Sequence, residues 1–136
     1  MKTALITGGA GFIAHHLIAR ILTQTDWNIV TLDRLDYSGN LNRLNDILQY
    51  ECTPNERKRV KVVWHDLKAE LNPLVRREIG KVDYILHLAA GSHVDRSIDY
   101  PMEFVMDNVV GTCNILDFAR SLDHLERFLY LSLIHI

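Results

Sequence analysis

A glycine-rich turn near the start of the chain limits the fold more than any other feature. A short apolar run at residues 4–6 breaks into Thr7-Gly-Gly-Ala-Gly11 and resumes as a helix-like pattern. Glycines lack the Cβ that would block a tight turn and a close approach of backbone to phosphate. The following helix would direct its unpaired N–H groups at that phosphate. The pattern therefore predicts a strand, a phosphate-binding turn with Gly8 and Gly11, and a helix.

A carboxylate follows at the distance that such a turn requires. Residues 29–33, Ile-Val-Thr-Leu-Asp, read as a second strand that ends in Asp33, about 20 residues beyond the turn. An acidic side chain there can accept hydrogen bonds from the hydroxyls of an adenosine ribose. Arg34 could meet a ribose phosphate, but the neighbouring carboxylate would repel that phosphate. The sequence therefore favours NAD over NADP.

Apolar runs rich in β-branched residues alternate with helical patterns along the chain. We predict strands at 2–7, 28–33, 60–64, 84–88 and 127–131, and helices at 11–24, 40–49, 67–78 and 101–121. This alternation predicts an α/β fold, a doubly wound (Rossmann) parallel sheet of five strands. The periodicity assigns eight residues to buried helix faces: Ile13, Leu17, Ile21, Leu22, Val105, Val109, Leu116 and Ala119.

The composition fits one globular domain. The chain has 136 residues, 48% of them hydrophobic, and a net charge of −2, so no basic excess points to nucleic acid. The basic residues 57–61 are expected to be a solvated approach to a strand. No apolar run approaches the ~20 residues of a membrane span, and no signal peptide is evident. We expect a cytoplasmic protein without a metal site, since Cys52 and Cys113 lack metal-binding spacing.

Ligands of such a sheet bind beyond the carboxyl ends of the strands. The third predicted strand is followed by Asp66, whose carboxylate could bind the amino group of adenine or cap a helix beginning at Leu67. These two interpretations are compatible. The fourth strand is followed by residues 88–97, Leu-Ala-Ala-Gly-Ser-His-Val-Asp-Arg-Ser. The small residues there let the backbone approach a ligand.

Four segments together resemble the extended short-chain dehydrogenase/reductase family of NAD-dependent epimerases and dehydratases. They are residues 7–13 (Thr-Gly-Gly-Ala-Gly-Phe-Ile), 33–41 (Asp-Arg-Leu-Asp-Tyr-Ser-Gly-Asn-Leu), 87–98 (His-Leu-Ala-Ala-Gly-Ser-His-Val-Asp-Arg-Ser-Ile) and 108–112 (Asn-Val-Val-Gly-Thr). The chain most resembles the dTDP-glucose 4,6-dehydratases of that family. The resemblance implies NAD as cofactor, a nucleotide sugar as substrate and a homodimer of the full-length enzyme.

The resemblance also implies the roles of individual residues. The implied contacts are Phe12 and Ile13 over the pyrophosphate; Asp33, Arg34, Leu35 and Asp36 at the adenosine ribose; Asp66 and Leu67 at adenine; Leu88, Ala89 and Ala90 on the nicotinamide side; and Ser92, His93 and Val94 at the sugar nucleotide. Gly91 stands where the dehydratases usually have Glu, and Asp107 where they usually have Thr beside the cofactor.

The residues that transfer protons in the family are missing from this sequence. In the family, the strand that corresponds to residues 127–131 is followed by Ser-Thr-Asp-Glu or Ser-Ser and then by a helix with the pattern Tyr-x-x-x-Lys. In this sequence, no tyrosine has a lysine four residues later. Hydride transfer to or from a sugar then has no proton partner. We expect a Rossmann unit truncated before the catalytic helix, without catalytic residues of its own. A 4-epimerase fragment and a non-catalytic dinucleotide-binding protein are the alternatives.

The last six residues of the chain match a known DNA sequence that is foreign to the family. Residues 131–136, Leu-Ser-Leu-Ile-His-Ile, match the translation of CTG TCT CTT ATA CAC ATC, the end sequence of a transposon used to fragment DNA for sequencing. We expect residues 1–130 to be the NAD-binding domain and residues 131–136 to be adapter read-through. An authentic apolar strand end is the alternative, because Ser132 coincides with the family's serine.

Overall fold

A single parallel sheet forms the centre of the molecule. The computed structural model describes residues 1–36 and 39–131, so residues 132–136 of the expected tail and residues 37 and 38 of the 33–41 segment lie outside the described residues. The strands are β1 (Thr3–Thr7), β2 (Asn28–Asp33), β3 (Val60–Trp64), β4 (Tyr84–His87) and β5 (Arg127–Tyr130). Their order, β3-β2-β1-β4-β5, confirms the predicted doubly wound sheet of five strands.

This strand order creates one crevice. The chain runs outward from β1 to β3 and then crosses back past β1 to β4, so the direction of winding reverses between β1 and β4. The carboxyl ends of these two strands pair directly, with Thr7 opposite His87. Thr7 also pairs with Leu32, one residue before the end of β2. Three strand ends therefore meet at the place where ligands bind in open α/β sheets.

Helices cover both faces of the sheet. One face carries α1 (Phe12–Gln24), α2 (Leu41–Glu51) and the single turn α3 (Pro54–Arg57), and the other carries α4 (Pro73–Ile79) and α7 (Gly111–Arg120). Along the chain, α5 (Val94–Asp99) follows β4. After it, α6 (Pro101–Val105) continues through a π-helical turn (Met106–Val110) into α7. No helix within the described ranges is long and apolar enough to cross a bilayer.

The predicted helix over 67–78 begins later, at Pro73. The Asp66 carboxylate accepts the Lys68 N–H at 3.0 Å and closes a separate turn after β3. Asn72 then caps α4, because its Oδ1 accepts the N–H groups of the second and third helical residues at 3.0 and 3.1 Å. Proline suits the first helical position because its missing N–H has no partner there. Asp66 therefore caps a turn and not a helix.

The buried faces of two helices differ from the predicted ones. In α1 the buried positions include Ala14, Ile18 and Leu22, whereas Ile13 is 49% exposed. Ala14 and Ala19 of this helix pack in one buried cluster with residues of β1 and β2. In the 101–120 helix, Ile115 and Phe118 are buried, and three residues predicted as core are exposed: Val105, Val109 and Leu116. Apolar residues recur at helical spacing on two sides of this helix, so the periodicity did not identify which side packs against the sheet.

Arg59 is half-buried and hydrogen-bonded, whereas all the basic residues 57–61 were expected to be solvated. Its guanidinium donates hydrogen bonds to the carbonyl oxygens of Leu22 at 2.6 Å, Thr25 at 3.0 Å and Trp27 at 2.7 Å. These carbonyls belong to the last turn of α1 and the connection to β2. A helix end leaves such groups without intrahelical partners. Arg59 thus stabilises the path from the first helix into the second strand.

We expect Arg59→Met to lower the free energy of unfolding by about 2 kcal/mol, because several hydrogen bonds from a charged donor are lost. Lys58→Met is the matched control, since Lys58 is the preceding residue and is exposed; its effect should stay within about 0.5 kcal/mol. Urea unfolding followed by circular dichroism measures both. Equal effects of the two substitutions would contradict this role of Arg59.

Candidate functional site

The glycine turn after β1 packs against both neighbouring strands. Gly8 has φ +73°, and its N–H donates to the carbonyl oxygen of Leu32 at 2.7 Å. A Cβ on Gly8 would lie 3.0 Å from the Cα of Ala89. A Cβ on Gly9 would lie 1.8 Å from the Thr31 Oγ1, which is far inside contact distance. The turn therefore requires glycine for backbone conformation at one position and for space at the next.

The beginning of α1 is open towards the cleft above the sheet. Gly11 is the N-cap residue, and its N–H donates to the Gly8 carbonyl oxygen at 2.9 Å. In the part of the chain that the structure describes, no side chain caps this helix and its first turn contains no acidic residue. The first N–H groups of α1 and the positive end of its dipole are therefore available to an anion.

The Asp33 carboxylate is fixed at the end of β2. Its Oδ2 accepts the Ala10 N–H of the glycine turn at 3.0 Å, and its Oδ1 accepts the Leu35 N–H at 2.8 Å. Leu35 has a left-handed backbone with φ 56°, and this hydrogen bond stabilises the turn it forms. The Asp33 residue is only 9% exposed. Each carboxylate oxygen retains a further lone pair, so Asp33 can still accept hydroxyl donors.

Charged side chains line the end of the cleft near β2 and β3. The Arg34 guanidinium donates Nη1 and Nη2 to the two oxygens of Asp107 at 2.6 and 2.9 Å, and Nε to the Asp36 Oδ2 at 2.6 Å. Lys68 Nζ lies 3.5 Å from the Asp66 Oδ2 and 3.9 Å from the Asp107 Oδ1. The hydrogen bonds with Asp107 raise the pKa of Arg34 above its ordinary value. Within the described ranges, no three His, Cys, Asp or Glu side chains form a metal site.

A buried histidine connects the ends of β1 and β4. Thr7 Oγ1 accepts the N–H groups of Leu88 and Ala89, both at 3.1 Å, and lies 2.7 Å from the His87 Nδ1. The hydroxyl proton of Thr7 therefore points at Nδ1, which must be an acceptor. The proton of the neutral ring is then on Nε2, which donates to the Thr112 Oγ1 at 2.9 Å. Burial lowers the pKa of His87 to about 4, so the ring is neutral at pH 7.

The π-helical turn holds the segment that follows β4. Asn108 accepts the Gly91 N–H at 2.7 Å through Oδ1 and donates Nδ2 to the Gly91 carbonyl oxygen at 3.1 Å. A Cβ on Gly91 would lie 2.9 Å from the Phe104 ring. The same turn places Asp107 in the cleft with its side chain 9% exposed. Turns of this kind often occur at functional sites.

The cleft brings most of the predicted cofactor residues together. Those that line it are Gly8, Gly11, Asp33, Arg34, Asp36, Asp66, Leu67, Leu88, Ala89 and Ala90. The remaining predicted residues are outside its lining: Phe12 and Ile13 at the start of α1, Leu35 in the turn after β2, and Ser92, His93 and Val94 at the start of α5. Phe12, Ile13 and Ser92–Val94 are exposed. The contacts of all these residues with a ligand stay predictions.

Six lining residues were not among the predicted set: Leu32, Gly39, His65, Lys68, Gly91 and Asp107. Gly39 had a signal, because it belongs to the 33–41 segment, and a Cβ there would lie 2.8 Å from the Asp33 Oδ1. Asp107 also had one, since it directly precedes the 108–112 segment. Lys68 had none, because its position follows from the turn that Asp66 closes.

The sequence profile of the family described as GDP-mannose 4,6 dehydratase matches residues 5–132. The chain belongs to this epimerase/dehydratase family. It is 40% identical over 120 residues to the dTDP-glucose 4,6-dehydratase of Neisseria gonorrhoeae, which covers 88% of this chain and 33% of that protein. The Salmonella typhimurium dTDP-glucose 4,6-dehydratase is 40% identical over 118 residues, with 85% and 30% covered. The chain spans about a third of the length of these curated relatives.

Solved structures share the fold. One is DesIV, a dTDP-glucose 4,6-dehydratase from Streptomyces venezuelae with NAD and TYD bound. It is 35% identical with a TM-score of 0.75, over 93% of this chain and 38% of that one. Another is the UDP-Glc/GlcNAc 4-epimerase from Campylobacter jejuni, 29% identical with a TM-score of 0.79, over 96% and 36%. The resemblance seen in the sequence is thereby confirmed at the level of the family.

We expect the free energy of unfolding to fall between pH 6.5 and pH 4 because His87 must stay neutral in the fold. Its pKa is lowered from 6.5 to about 4 on folding, so the unfolded chain binds the proton first. This contribution is complete above pH 6.5 and is lost as the pH falls towards 4. A shift of this size corresponds to about 3 kcal/mol.

Urea unfolding between pH 7 and pH 4.5 measures this effect. His87→Gln should remove that part of the pH dependence, whereas His124→Gln, at an exposed histidine, should leave it unchanged. Parallel pH profiles for the unaltered chain and His87→Gln would show that His87 is not its source.

Proposed function

We propose that this chain is the NAD-binding part of a nucleotide-sugar 4,6-dehydratase. The observation that carries the proposal is the pairing of an uncapped helix start behind the glycine turn with the fixed Asp33 carboxylate at the next strand end. The first would bind the pyrophosphate through N–H groups, and the second would accept the ribose hydroxyls. The NAD bound in DesIV, a structure that shares this fold, supports the choice of cofactor.

The remaining lining residues would orient the cofactor along the cleft. Asp66 would accept a hydrogen bond from the amino group of adenine, and Leu88, Ala89 and Ala90 would lie on the nicotinamide side. When bound, NAD would accept a hydride from C4 of the sugar and return it to C6 after water is lost across C5 and C6. The chain's own residues bind and orient; no tyrosine in the sequence has a lysine four residues later. We therefore propose that the 136 residues bind the cofactor without catalysing the reaction.

The dehydratase is favoured over a 4-epimerase by sequence similarity. Identity reaches 40% with curated dTDP-glucose 4,6-dehydratases, and among the solved structures it is 35% with DesIV and 29% with the Campylobacter epimerase. The substrate class we propose is a nucleotide sugar, with dTDP-glucose as the first candidate. Ser92, His93 and Val94 would contact it from the exposed start of α5.

We extend the proposal to a cytoplasmic homodimer of the full-length enzyme. The 101–120 helix exposes apolar side chains along one side, including Met102, Val105, Val109 and Leu116. In the family that the sequence resembles, this helix packs with the tyrosine-bearing helix at the dimer interface. Burial of these side chains would recover roughly 25 cal/mol per Å² of apolar surface.

Gly11→Val tests whether the cofactor binds at the glycine turn. A Cβ at this position would lie 2.9 Å from the Gly8 carbonyl oxygen, and a branched side chain would occupy the approach to the helix start. We expect NAD binding, measured by isothermal titration calorimetry, to weaken by about a hundredfold or more, as a misplaced turn removes several charge-assisted hydrogen bonds. Thr23→Val, at the other end of α1, should leave it unchanged. Unaltered NAD affinity of a folded Gly11→Val chain would place the nucleotide elsewhere.

The absence of the family's acid/base pair gives a second test. Purified chain incubated with dTDP-glucose and NAD should form no 4-keto-6-deoxy sugar at any pH between 6 and 9, because the sequence lacks the Tyr-x-x-x-Lys pair through which the family transfers the proton. Chromatography of the nucleotide sugars measures the product. A full-length dehydratase in the same assay is the positive control, and product formed by the 136-residue chain would refute the proposed lack of catalysis.

A further inference from the structure

Arg34 occupies the place from which an arginine can bind a 2′-phosphate. It directly follows Asp33, and its guanidinium lines the same cleft. An acidic residue at the end of this strand receives the ribose 2′-hydroxyl of NAD, whereas a nearby arginine accommodates the 2′-phosphate of NADP. The sequence thus places a carboxylate suited to NAD next to a guanidinium suited to NADP. Their partners in the structure decide which of them can bind the ribose 2′-substituent.

The Arg34 guanidinium is already bound on two sides. Its two terminal nitrogens meet the two Asp107 oxygens at 2.6 and 2.9 Å, the bidentate geometry of a strong arginine–carboxylate pair. Its Nε meets Asp36 at 2.6 Å. A phosphate would compete for the same N–H groups that Asp107 receives. Arg34 therefore cannot bind a phosphate in the same way while this pair exists.

Asp107 is well placed to maintain the pair. It lies in the π-helical turn, where the neighbouring Asn108 is bound to both polar backbone groups of Gly91. Its side chain is 9% exposed, against 25% for that of Arg34. A carboxylate buried to this extent would be left poorly compensated if Arg34 moved to a ligand, with Lys68 Nζ still 3.9 Å away. The ion pair thus resists release of Arg34.

We propose that Asp107 is a specificity-determining residue that selects NAD over NADP by holding the Arg34 guanidinium away from the ribose 2′-position. The inference rests on the proposed function, since it assumes a dinucleotide in this cleft. Asp33 disfavours the phosphate by charge, whereas Asp107 binds the neighbouring Arg34 guanidinium, which could otherwise donate hydrogen bonds to that phosphate. The two carboxylates act on the same choice by different means.

Titration calorimetry of the 136-residue chain with NAD and with NADP tests the proposal. Asp107→Asn and Asp107→Ser should lower the NADP Kd by about tenfold, because a freed guanidinium gains charge-assisted hydrogen bonds to phosphate. The NAD Kd should change by less than about twofold, since NAD carries no such phosphate. Asp107→Glu keeps the carboxylate and should keep the original ratio of the two Kd values.

Two further variants separate release of Arg34 from simple loss of a negative charge. Asp117→Asn removes the same charge from the same continuous helix, where Asp117 pairs with Arg120 and Arg76; it should leave the ratio unchanged. Arg34→Leu combined with Asp107→Asn should abolish the gain in NADP affinity. Far-UV circular dichroism and thermal unfolding identify which neutral Asp107 variant is folded, and either one is sufficient.

The calorimetric results distinguish a failure of the proposed NAD binding from a failure of the proposed role of Asp107. If the unaltered chain binds neither nucleotide, the proposed function is overturned and this inference with it. If NAD binds but a folded neutral variant keeps the original NAD-to-NADP ratio, only the role of Asp107 is overturned. A gain in NADP affinity that persists without Arg34 would also overturn it, because repulsion by the Asp107 charge would then be the whole effect.

Discussion

The Asp33 carboxylate is the interaction on which the cleft depends. It accepts one N–H from the glycine turn after β1 and one from the turn after β2, and so joins the end of the central strand to that of its neighbour. The glycine turn in turn lies against Thr31 and against the backbone at Ala89, with no room for a side chain at Gly9. A residue that would bind a ribose therefore also stabilises the loop that would bind a pyrophosphate.

Much of the fold and of the site could be predicted from the sequence, because the signals are local. The glycines, the carboxylate about 20 residues later and the alternation of apolar runs depend on short-range backbone geometry. They predicted a doubly wound parallel sheet of five strands and ten of the residues that line the cleft. The predicted helix cap at Asp66 was wrong, because Asp66 closes a turn and the helix starts at Pro73 with Asn72 as its cap.

What could not be predicted depends on elements that meet only in the folded chain. Lys68 and Asp107 come from segments far apart in sequence. The Lys68 ammonium lies near the Asp107 carboxylate because the 101–120 helix passes beside the turn after β3. The Asn114 side chain donates to the Leu67 carbonyl oxygen at 2.7 Å and fixes that approach. Periodicity failed for Val105 and Val109 because the 101–120 helix carries apolar side chains on two sides, and only the folded chain shows which side packs against the sheet.

The neutral His87 has a consequence for how a ligand would be received. Because Thr7, His87 and Thr112 satisfy one another in a single order of donors and acceptors, the backbone after β4 has its position set before anything binds. Asn108 does the same for Gly91 a few residues later. The backbone on this side of the cleft is already ordered in the folded chain. Binding of a ligand here therefore loses little free energy to ordering the protein.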